Sequence, residues 1–132
     1  MSQTAMLLQA YSKDPIAKYL IEDADFSYTQ ANSVCGDELT VYVKLDGEYI
    51  QERSRDGPAQ MQTTAAASML GEVIQWENMS TVLTRDYSFI KNLWLELSPR
   101  RRRSGVTALL ATRNGLHQFL DDSIVDTYDN LL

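Results

Sequence analysis

One cysteine and one aspartate, separated by a single glycine, are the residues of this 132-residue chain best suited to chemistry. They stand in the stretch Asn32-Ser33-Val34-Cys35-Gly36-Asp37. Glycine reaches backbone conformations that a Cβ forbids, so the chain can turn sharply at Gly36 and aim a thiolate and a carboxylate at one point. A soft sulfur and a hard oxygen on one turn suit a metal half-site. The same turn would also suit a reactive thiol, or simply a small buried cysteine.

The other chemical groups are scattered. His117 is the only histidine. It falls near the C-terminal part of a helical pattern, where the dipole favours a cation, and a surface or packing role is the simplest reading. About ten helical residues, roughly 15 Å, separate it from Thr107, and no motif joins it to Cys35 as a catalytic pair. Arg100, Arg101, Arg102 and Arg103 put four like charges at a helix start. Cations there oppose the dipole, so a docking surface for an acidic partner is one reading and a solvated helix start the other. Glu22, Asp23 and Asp25 form an acidic, solvated run.

The elements that must position these groups change period along the chain. Residues 3–14 read as a short amphipathic helix. Phe26, Tyr28 and Gln30 alternate with polar residues as in a strand. Leu39, Val41, Val43 and Leu45 alternate with Thr40, Tyr42 and Lys44, and Asp46-Gly47 follows. That dipeptide predicts a two-residue hairpin turn pairing Leu45 with Glu48, Val43 with Ile50 and Tyr42 with Gln51. After Gly57-Pro58 the period becomes helical, with Met61, Ala65, Met69, Val73 and Trp76 on one stripe. Tyr87, Ile90, Leu93, Trp94 and Leu97 mark a second helix, and Ser98-Pro99 opens a third through Val106, Leu109, Leu110, Leu116, Phe119 and Leu120. Both tryptophans, Phe119 and the methionines are expected in the core. Residues 121–132 read as an acidic tail, ordered at most in part. Strands first and helices last imply one α+β domain: a small antiparallel sheet, with a hairpin at about 38–55 and an earlier strand, covered by C-terminal helices.

Composition narrows the function. The net charge of −6 argues against general nucleic-acid binding, which needs a basic surface. No apolar run approaches the roughly 20 residues that cross a bilayer. The N-terminus has no signal-peptide pattern, and a lone cysteine suits a reducing, cytoplasmic setting.

Four motifs in order resemble one family. Glu22-Asp23-Ala24-Asp25, then Val34-Cys35-Gly36-Asp37 before a hairpin, then Ala66-Ala67-Ser68-Met69-Leu70, then Thr107-Ala108-Leu109-Leu110 are similar to the N-terminal scaffold domain of NifU and its relatives IscU and SufU. These are non-enzymatic iron–sulfur cluster assembly scaffolds, and the resemblance covers about residues 15–120. It implies an IscU/NifU-like fold. It also implies protein partners: a cysteine desulfurase, a chaperone and cluster acceptors. The family holds an iron–sulfur cluster or zinc with three cysteines and an aspartate. Cys35 and Asp37 match two of these ligands; the second and third cysteines fall at Gln60 and Thr107. Clusters are held mainly by thiolates, so two ligands cannot hold one tightly unless a homodimer shares Cys35 and Asp37 across a two-fold axis.

Three readings follow. The first is a divergent scaffold whose metal binding through Cys35 and Asp37 is weak or dimer-dependent. The second is a metal-free interaction or regulatory protein acting through Arg100–Arg103. The third, and weakest, is an enzyme with Cys35 as nucleophile.

Overall fold

The computed structural model describes residues 21–32, 36–57, 61–93 and 97–132. The expected helix at 3–14, Cys35, Gln60 and Trp94 lie outside these residues, as do the side chains of Met61, Leu93 and Arg100. Three strands form an antiparallel sheet in the order β1-β2-β3: β1 (Phe26–Asn32), β2 (Asp37–Asp46) and β3 (Tyr49–Asp56). Five helices follow: α1 (Met61–Val73), α2 (Met79–Val82), α3 (Tyr87–Leu93), α4 (Arg102–Leu120) and α5 (Tyr128–Leu131), with a 3-10 turn at Pro99–Arg101 before α4. The α+β class and the segregated order are as expected.

The alternation on β2 decides which face is covered. Leu39, Val41 and Val43 are fully buried, while Thr40, Tyr42 and Lys44 on the opposite face are half-buried. Helices α1 and α4 pack together on the buried face, α4 against β1 and β2 and α1 against β3. The small side chains Ala65, Ala66 and Ala67 let α1 approach closely, and all three are buried.

The hairpin differs from expectation by one residue. Asp46 pairs with Tyr49 and Leu45 with Ile50, so Gly47 and Glu48 form the turn. Gly47 has φ +61° and Glu48 stays on the ordinary side. Positive φ at the first central residue alone is what a type II′ turn requires, and glycine meets it. A bulge between Lys44 and Leu45 then shifts the ladder, so that Val43 pairs with Arg53 and Tyr42 with Ser54. Bulges absorb one extra residue in this way.

Two aromatic expectations are corrected. Trp76 is 55% exposed, because α1 ends at Val73 and Trp76 sits beyond it at φ 66°, off the helical stripe. Phe119 is 44% exposed at the last turn of α4, its ring 5.8 Å from that of Phe26.

Candidate functional site

The end of the sheet where β1 passes into β2 gathers the described parts of the expected site. Asn32 pairs with Asp37, and the Gly36 amide donates to the Asn32 carbonyl at 2.9 Å. Gly36 has φ +74°, the left-handed conformation foreseen for it. Asp37 is only 4% exposed and accepts a hydrogen bond from the Thr63 hydroxyl in the first turn of α1. That contact draws the start of α1, just after Gln60, to the start of β2.

Thr107 comes to the same end from α4. It is fully buried, and its hydroxyl lies 2.8 Å from the Arg103 carbonyl and 3.1 Å from the Tyr128 hydroxyl. Tyr128 in turn reaches the Ala31 carbonyl at 3.3 Å, the residue before Asn32. Two hydroxyl protons therefore serve three contacts, and they join α4, α5 and β1 at one point.

Tyr128 belongs to the stretch expected to be a loosely ordered acidic tail. Residues 121–132 instead turn back along α4. Asp121 caps α4 in the left-handed conformation, and Thr127 with Asn130 forms a capping box at the start of α5. Tyr128 and Leu131 are buried in the main core. Between these points the chain is fastened to α4 by side chains. His117 is 6% exposed, with Nδ1 2.7 Å from Asp122 Oδ2 and Nε2 2.9 Å from Asp126 Oδ2. Arg113 Nε donates to the same Asp126 oxygen at 3.0 Å. Asn114 exchanges two hydrogen bonds with the Asp126 backbone. His117 thus has a packing role, as expected. The hydrogen bond from His117, with that from the Ile124 amide, holds the Asp122 carboxyl below the usual carboxylate range.

The arginine run is partly spent inside the fold. Arg101 is exposed. Arg102 lies 5.1 Å from the Tyr87 ring centre and Arg103 lies 5.0 Å from that of Tyr128, positions in which an aromatic face attracts a cation. Ser98 stands at the N-cap position with Pro99 behind it, but its side chain makes no capping bond. Two further arginines escaped sequence reasoning. Arg53 and Arg55 on β3 are buried beneath α1; Arg53 donates to the Ala67 carbonyl and Arg55 to the Ser68 hydroxyl at 3.0 Å.

These donors do not suit a thiolate-held cluster. The Thr107 hydroxyl is neutral and engaged within the protein, and the Asp37 carboxylate is engaged by Thr63. Among the described residues no three His, Cys, Asp or Glu side chains gather as a metal site, and no helix is long and apolar enough to cross a membrane.

Comparison with known proteins gives one consistent answer. Residues 4–125 match the family model of the NifU-like N terminal domain. A protein from Fervidobacterium islandicum, described as an iron–sulfur cluster assembly scaffold for the SUF system, superposes with TM-score 0.71 at 19% identity. That match covers 88% of this chain and 96% of the other. The N-terminal part of a NifU-like protein from Brucella abortus gives 0.69 at 13% identity, covering 89% and 94%. A hypothetical protein gives 0.70 at 17%, covering 86% and 96%. No curated protein matches the chain.

Proposed function

The chain belongs to the NifU-like N terminal domain family, and from that membership we propose that it serves iron–sulfur cluster assembly as a metal-free interaction protein. The observation that carries this reading is Thr107. It stands where the resemblance puts the third ligand cysteine, and its hydroxyl is bound up with Arg103 and Tyr128. A neutral hydroxyl already committed to two partners is a poor substitute for a thiolate. Cysteine desulfurase, chaperone and cluster acceptors are the partner classes that family membership suggests. Arg101 supplies the exposed part of the basic surface at Arg100–Arg103. No catalytic role is assigned to any residue.

A second reading keeps a weak site at Cys35 and Asp37 for iron, cluster or zinc, completed across a homodimer. It is favoured by the Asp37 carboxylate, which is buried and oriented by Thr63 two residues beyond Cys35. Iron, zinc and acid-labile sulfide should be measured after anaerobic purification and reconstitution, with Cys35→Ser alongside. The metal-free reading expects no stoichiometric metal or sulfide in either protein. Stoichiometric metal that vanishes in Cys35→Ser would overturn it in favour of the shared site.

A further inference from the structure

We propose that residues 122–132 form a strap that closes the Thr107 end of the site, held by a charge clamp on His117 and able to open while the sheet and α4 stay folded. The strap is secured at two places. At one, Tyr128 covers Thr107 and reaches Ala31, and Leu131 enters the core. At the other, His117 is gripped by Asp122 and Asp126. Between the clamp carboxylates the strap is slack. Ile124 and Val125 are 52% and 72% exposed, and with Tyr28 on β1 they line an open cavity of about 220 Å³. Asp126 is held by Arg113 and Asn114 as well, so the slack lies between Asp122 and Asp126, and a segment with so few packed contacts can open locally without disrupting what lies beneath.

The clamp defines the conditions for release. Carboxylates only accept hydrogen bonds, so both ring nitrogens of His117 must donate for both contacts to form. The arrangement is complete when the ring is an imidazolium and Asp122 and Asp126 are ionised. The other groups facing it are Arg113, which shares the Asp126 oxygen, and Asp121 and Tyr28, which line the same cavity. Removing either the ring or one of the carboxylates therefore breaks the clamp, and the strap loses one of its two fastenings. Opening uncovers the buried Thr107 and frees the Ala31 carbonyl from Tyr128, at the end of the sheet that leads to Cys35.

The test uses Thr107→Cys in a Cys35→Ser background, so that the introduced thiol reports access under the strap. Labelling by a maleimide is followed at one fixed pH. Labelling should outpace global unfolding measured in urea. His117→Gln and Asp126→Asn should each speed it roughly tenfold or more, as expected for losing a charged hydrogen bond, while amide exchange in β2 stays unchanged. Labelling at the global unfolding rate in every variant, or a rate in His117→Gln no faster than with His117 in place, would overturn the strap. If Thr107→Cys does not fold, exchange of the Asp126 and Asn130 amides against those of Val41 and Val43 in the unaltered chain decides the same question. Metal content decides the metal-free reading and thiol protection decides this one, so either can fail alone.

Discussion

At the scale of single residues, Asp122 and Tyr128 make separate predictions. The folded-state carboxyl of Asp122 titrates below the usual range. Its contribution to stability is therefore full above the unfolded value, about pH 4, and is lost as the pH falls through the folded one. Asp122→Asn should leave a shallower loss of stability as the pH falls below about 4, measured by urea midpoints at each pH; identical slopes would show that the His117 contact does not act in solution. Tyr128→Phe removes one hydroxyl from the Thr107 and Ala31 contacts. About 1–2 kcal/mol should be lost. Thr107→Val should lose a similar amount, and the double variant less than the two together, because both changes break one network. Strict additivity would mean that the two hydroxyls are not coupled.

At the scale of elements, α4 lies so close to β1 that a side chain at Gly115 has no room. A Cβ there would meet the Phe26 ring at 2.5 Å and the Tyr28 Cβ at 3.2 Å. Gly115→Ala gains helix propensity, but the overpacking is the larger effect, so a net loss of about 1–2 kcal/mol is expected by thermal unfolding. An unchanged or raised Tm would show that β1 yields easily. The same scale shows what was legible. Strict alternation on β2 reports burial directly and helical spacing marked α3 and α4 as helices, although α4 is buried almost all round and Phe119 and Leu120 at the end of its stripe are exposed. The hairpin register was not legible, because both Asp46-Gly47 and Gly47-Glu48 can form a tight turn, and the bulge that follows is a tertiary choice. Arg53 and Arg55 were invisible for a different reason. A charged residue on a strand reads as solvated, and partners that favour burial, such as the carbonyl of Ala67 and the hydroxyl of Ser68, lie on a helix further along the chain. At the candidate site, the family resemblance singled out Asp37 and Thr107. It did not single out Tyr128, since a tyrosine in an acidic stretch carries no period that ties it to Ala31, 97 residues away.

At the scale of the whole molecule, one apolar cluster joins the sheet, α1, α4 and the strap, but its parts need not release together. Leu109 and Leu131 are both buried, at 0% and 1% exposure. Leu109 lies on α4 within the core cluster, and Leu109→Ala should cost about 2–5 kcal/mol, the full range for a core leucine. Leu131 lies at the far end of the strap. A cavity there can be avoided by undocking the strap, so the loss in Leu131→Ala cannot exceed the free energy that holds the strap down. That variant should therefore lose less stability than Leu109→Ala. Its urea m-value should also fall, because a native state with the strap released has less surface left to expose on unfolding. Urea titrations followed by far-ultraviolet circular dichroism compare the two directly. Equal losses with unchanged m-values would mean that the strap unfolds only with the core and that Tyr128 is a fixed part of it. A smaller loss with a lowered m-value would give the strap its own stability, and with it a closed and an open form of the Thr107 end of the site.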